Sequence, residues 1–136
     1  MDNNSTTTAP GTTALDVPPT SKGYSLHIGL NKADPKHYGP MPQLKAAIAD
    51  ATFWHRYAHE LGYQCDILTD EDATAEAVKN KIAEQASRLQ PGDIFLLTYA
   101  GHGGLIPNEK PAGFDNERND QTWCLYDRQL LDDELY

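Results

Sequence analysis

Basic residues are scarce in this chain. Eleven Lys and Arg stand against twenty Asp and Glu, a formal net charge of −9 over 136 residues. Phosphate backbones and anionic membrane surfaces attract basic faces, so the balance argues against nucleic acid and membrane partners. Long apolar runs are missing too: none approaches the ~20 residues of a spanning helix. The opening stretch MDNNSTTTAPGTTALDVPPTSKG has no basic start and no apolar core, so it is not a secretory signal. Cysteine is nearly absent. Cys65 and Cys124 are too few for a disulfide framework, and no Cys/His cluster has zinc spacing. A reducing, cytoplasmic setting is the expectation, with a length suited to one small domain.

What is present has a clear order. Residues 1–22, rich in Thr, Pro, Asn and Ser, read as a disordered tail, and residues 23–136 as the domain. YSLHIGLN (24–31) predicts a strand and KADPKHYGPMP (32–42) a loop. Residues 43–63 place Leu44, Ile48, Ala51, Ala58 and Leu61 at helical spacing, with Gly62 as a stop. QCDILTD (64–70) reads as a second strand. Residues 72–92 form a second helix, capped by Asp72 or Thr74 and stopped by Pro91-Gly92, and DIFLLTYA (93–100) is the most apolar strand. Strand, helix, strand, helix, strand implies an α/β fold with a mainly parallel sheet and helices on both faces, of which three strands are clear. After Gly104 the chain is polar and acidic, with few structural signals until WCLYD, and DDELY looks like the first turn of another helix.

The sharpest local feature is TYAGHGG. In open parallel sheets ligands bind beyond the carboxyl ends of strands. His102 lies just past such an end, flanked by Gly101, Gly103 and Gly104, which leave the ring accessible and let a substrate backbone approach. An imidazole there can exchange a proton near neutral pH. A generic flavodoxin-like binding domain would instead need a phosphate-cradling glycine loop after the first strand, and NKADPKHYG offers none.

GDIFLLTYAGHGG resembles the strand and histidine loop of caspase-like cysteine peptidases, and further segments agree. LHIGLN is similar to the first strand of metacaspases and their bacterial relatives. QLKAAIADA, ILTDEDATAEAVKNKI, DQTWCLYD and LLDDELY are similar, in order, to later segments. The resemblance runs from Tyr24 to Tyr136. It implies a caspase-like three-layer αβα sandwich acting on peptide or protein substrates through a Cys/His dyad, with no cofactor required for the chemistry. It makes His102 the catalytic histidine and Gly103 part of an oxyanion-holding loop. It places Asp50 and Ala100 in a pocket for Arg or Lys before the scissile bond, where a carboxylate pairs with a cation. A solvent-facing helix aspartate is the alternative for Asp50. Asp120, Asp132 and Asp133 match acids that bind Ca²⁺ in calcium-dependent metacaspases. Acids in a helix's first turn explain the last two equally.

The chain departs from the family at the nucleophile. In caspases the cysteine follows the histidine by about 50 residues, which falls beyond Tyr136. Cys124 comes too early and reads as an ordinary thiol. Ala47 and Ala100 stand where the family has Cys and Ser. The expectation is the N-terminal part of a peptidase domain, truncated before the nucleophile, inactive alone and completed by the missing C-terminal part. The alternative is a non-enzymatic pseudo-peptidase or half-domain that pairs with and regulates another chain.

Overall fold

A computed structural model describes residues 21–107 and 119–135. Residues 1–20 of the expected tail and the polar stretch 108–118 lie outside the described residues.

Three parallel strands form the central sheet: β1 (Gly23–Gly29), β2 (Gln64–Thr69) and β3 (Ile94–Ala100), in the order β2-β1-β3. Helix α2 (Ala47–Glu60) connects β1 to β2, and α3 (Ala75–Ala86) connects β2 to β3. The first crossover moves one way along the sheet and the second moves back. Right-handed crossovers therefore put the helices on opposite faces, and the side chains agree. Leu26 and Ile28 of β1 pack with Ala75 and Val78 of α3. Gly29, on the other face, lies so close to α2 that a Cβ there would sit 2.7 Å from both the Ala47 carbonyl and the Ala51 methyl. Full burial of side chains such as Leu26 and Ile28 contributes about 1.5–3 kcal/mol each, and this face is the main core. The three-layer α/β reading holds.

Both helices are shorter than their periodicity suggests. Asn31 takes hold of the approach to α2: its carbonyl accepts from the Leu44 N–H (2.7 Å) and its Oδ1 from the Ile48 N–H (3.1 Å). Residues 43–46 are thereby kept out of the helix. Thr74, not Asp72, caps α3, its hydroxyl accepting from the Ala77 N–H at 3.2 Å, while Asp70–Asp72 form a 3₁₀ turn. The expected loop 32–42 contains a one-turn helix, α1 (Pro35–Tyr38), begun by Asp34, whose carboxylate accepts from the Lys36 N–H.

Beyond Gly104 the sequence signals are weak, yet the chain builds a second sheet. Strands β4 (Gly103–Pro107), β5 (Asn119–Cys124) and β6 (Gln129–Leu131) run antiparallel in that order. A 3₁₀ turn, Asp132–Leu135, replaces the expected helix start. This sheet packs over the α3 face through Leu125 and Leu130, and Trp123 stacks on Tyr99 with ring centroids 4.6 Å apart.

Candidate active site

β1 and β3 end in register, Gly29 opposite Ala100, and the Leu30 N–H donates to the Ala100 carbonyl at 3.0 Å. The segment after β3 must then turn sharply into β4, and Gly101 makes the turn. A Cβ on Gly101 would lie 2.6 Å from the Tyr99 hydroxyl oxygen, so the position has no room for a side chain. That hydroxyl stands 2.6 Å from the His102 carbonyl and 2.9 Å from the Cys124 carbonyl, sharing one hydrogen between them. Burial, with Cys124 beside it, pushes the Tyr99 pKa above the usual phenol range, so it stays a donor. The Cys124 N–H also donates to the His102 carbonyl, at 3.0 Å. The main chain at 102 is thus held from two sides.

The ring is held as well. Nε2 of His102 lies 2.9 Å from the carbonyl oxygen of Pro42. A carbonyl can only accept, so the neutral ring carries its proton on Nε2 and presents Nδ1 as the basic nitrogen. Gly103, next in line, is exposed, and a Cβ there would meet nothing closer than the Thr122 carbonyl at 3.7 Å. Its bareness leaves backbone open to a ligand and answers no crowding.

Asp50 and Ala100 come together. With Leu44, Ala47, Tyr99 and Gly101 they line a cavity of about 490 Å³ beside the histidine loop. Asp50 is exposed, in the first turn of α2. There its carboxylate also favours the positive end of the helix dipole. The three acids of the second sheet lie elsewhere. Asp120 is in β5, opposite Ile106 of β4, and Asp132 and Asp133 are in the closing 3₁₀ turn. Extending the β5–β6 register, which pairs Thr122 with Leu131, brings position 120 toward the same end as 132 and 133. The side chains of Asp120 and Asp132 lie outside the description, and among the described residues no three His, Cys, Asp or Glu gather as a metal requires.

Cys124 is buried, and burial raises its thiol pKa. A nucleophilic thiol needs the opposite shift, so Cys124 is a core residue. Sequence reasoning missed the Pro42 carbonyl and the Tyr99 hydroxyl. The first carries no side-chain signature. The second was readable only in the pairing of an aromatic with the glycine two places on.

The profile of the caspase domain family matches residues 33–134. Metacaspase-1 of Mycosarcoma maydis is 27% identical over 128 residues, spanning 85% of this chain and 30% of its own length. The crystal structure of a Geobacter sulfurreducens protein superposes with a TM-score of 0.77 at 43% identity, over 85% of this chain and 43% of that one. The chain therefore spans less than half the length of either relative. Among the described residues no helix is long and apolar enough to cross a membrane.

Proposed function

The chain belongs to the caspase domain family, and from that premise we propose that His102 is the proton-transfer group of a cysteine endopeptidase whose nucleophile comes from outside residues 1–136. The observation that carries this reading is the Pro42–His102 hydrogen bond. With Nε2–H committed to a carbonyl, Nδ1 takes the thiol proton. The thiolate attacks the scissile carbonyl carbon, and exposed backbone at Gly103 offers an N–H donor to the oxygen as it becomes an oxyanion. The imidazolium then returns its proton to the departing amine, and water, deprotonated by the same nitrogen, releases the acyl group. The Pro42 carbonyl supports the imidazolium while it lasts. The 490 Å³ cavity exceeds any one side chain, and Asp50 suits it to Arg or Lys. A catalytic thiolate suits a reducing compartment, and a net charge of −9 disfavours nucleic acid as a partner.

Calcium enters this proposal only as an ion bound near Asp120, Asp132 and Asp133. Ca²⁺ takes six to eight oxygens, a number three carboxylates reach only when all bind through both oxygens, and no step above runs through the ion. Titration calorimetry of the chain with Ca²⁺ checks the site, and no heat removes it.

A second reading, a half-domain that pairs with another chain, has its own observation. Phe53, Trp54, Tyr57 and Leu61 are all exposed along α2. The row begins near Asp50, beside the end of β3, and finishes at Leu61, which shares a cavity with Ile94 at the start of β3. Among the described residues β3 pairs only with β1. An open edge beneath an apolar helix flank is a surface for an added strand.

One experiment separates the readings. The chain is mixed with the C-terminal remainder of a caspase-family domain and assayed on a peptide ending in Arg. Activity only with both pieces, abolished by His102→Ala but reduced less than about tenfold by Pro42→Ala, which keeps the carbonyl, supports the peptidase. Complex formation without turnover favours the half-domain. Turnover by the chain alone, lost on Cys124→Ala, sinks both.

A further inference from the structure

Asp70 sits at the carboxyl end of β2, on the far side of β1 from His102. It is the one non-glycine residue with positive φ among the described residues, at 42°. An L-residue in that region persists where its surroundings demand it. Here the demand is visible. Oδ1 of Asp70 accepts from the Asn31 N–H at 2.9 Å and from the Lys32 N–H at 3.2 Å. Asn31 in turn accepts from the N–H of Leu44 through its carbonyl and from the N–H of Ile48 through its side chain. Two residues before Leu44 stands Pro42, whose carbonyl holds the His102 ring.

We propose that Asp70 is a positioning residue: through Asn31 it sets the place of the Pro42 carbonyl, and so the tautomer and orientation of His102. The path crosses the whole parallel sheet in three hydrogen bonds, from the end of β2 to the turn after β3. Each belongs to backbone or to a short side chain, so a displacement at one end has little slack in which to dissipate. The other ties on this loop act elsewhere. Lys32 and Glu71 form an exposed ion pair, the Asp34 N–H donates to the Tyr126 carbonyl at 2.8 Å, and the Tyr38 hydroxyl donates to the Leu125 carbonyl at 2.7 Å. None of these bonds a residue of the 40–44 segment itself, whereas the Asn31–Leu44 bond closes on it.

The inference rests on His102 as the proton-transfer group, but its test needs no turnover. Long-range ¹H–¹⁵N spectra of the labelled 136-residue chain at pH 8 give the His102 tautomer ratio, with His102→Asn assigning the signal. Asp70→Ala and Asp70→Gly lower the ratio of the Nε2–H to the Nδ1–H form by roughly fivefold, the worth of one ordinary hydrogen bond. Asp70→Asn, which keeps an acceptor at Oδ1 and tolerates positive φ, holds it near wild type. Glycine adopts the 42° φ without strain, so it carries the comparison if the alanine variant does not fold. An unchanged ratio in Asp70→Gly, whatever its melting temperature, makes Asp70 a purely structural residue and overturns the proposal. The two-piece peptidase assay decides the catalytic reading separately.

Discussion

His27 and His55 meet edge to face under α2, their ring centroids 6.1 Å apart. His27 has no solvent exposure, and both its nitrogens are engaged, Nδ1 with the Thr98 hydroxyl at 2.7 Å and Nε2 with the Ser25 hydroxyl at 2.9 Å. Burial first, and the neighbouring His55 second, lower its pKa from 6.5 to about 4. The unfolded chain thus binds a proton in a range where the folded chain does not. The stability this provides is full above pH 6.5 and is lost as pH falls toward 4, in total about 3 kcal/mol. Urea midpoints between pH 7.5 and 4.5 should decline accordingly, and His27→Leu should flatten that decline whatever it does to the absolute value. An equal slope in the variant assigns the effect to other groups.

A second acid limb should lie lower. Glu134 receives both guanidinium nitrogens of Arg128 at 3.1 Å and the Leu131 N–H at 3.1 Å, with Lys79 at 3.5 Å. The Arg128 hydrogen bonds are the main reason its pKa falls from 4.5 to about 2. A lowered carboxylate pKa gives stability that is present above pH 4.5 and lost as pH falls toward 2. Glu134→Gln should cost roughly 1–2 kcal/mol at pH 7, kept modest by the partly exposed Arg128. The variant should also lose the unfolding step below pH 4.5. A wild-type profile below that pH discards the assignment.

Gly101 and Tyr99 should fail together. Gly101→Ala drives a methyl into the Tyr99 hydroxyl and should cost about 1–3 kcal/mol. Tyr99→Phe leaves the His102 and Cys124 carbonyls without that donor and should cost a similar amount. The double variant should cost clearly less than the sum, because removing the hydroxyl relieves part of the clash. Additive thermal shifts contradict this geometry.

For the assembled enzyme, Asp50→Asn should lower kcat/KM on Arg and Lys substrates by about tenfold or more, the loss of one charge-assisted partner. The melting temperature should hardly move, since an exposed first-turn carboxylate contributes under about 1 kcal/mol. A fall in stability with unchanged selectivity would return Asp50 to the role of helix-dipole partner.

The layered α/β frame is legible in the sequence for a physical reason. A parallel strand covered on both faces tends to be apolar along its length, and DIFLLTYA carries that signature, while YSLHIGLN shows its strand by the alternation of Leu26, Ile28 and Leu30. His102 stands out in the sequence because glycines flank a single imidazole, although the structure gives Gly101 a steric reason of its own against Tyr99. The second sheet was not legible. NDQTWC has few strand-forming residues and becomes β5 only when β4 and β6 flank it and Trp123 finds Tyr99. Nor were the hydrogen bonds of Pro42 and Asp70 legible. One acts through a backbone carbonyl, the other through a contact 39 residues back along the chain.

The segment from Asn31 to Ala47 supplies two things from one ribbon. Pro42 sets the proton on His102, and a few residues later Leu44, Ala46 and Ala47 wall the cavity that contains Asp50. Both hang from Asn31. On the reading proposed for His102 and Asp50, selectivity and acid–base chemistry therefore share a single anchor and shift together. A change of loop length between 32 and 42 that reshapes the cavity also retunes the base. Variation in what such a protein accepts is then confined to swaps that leave the length of this ribbon alone.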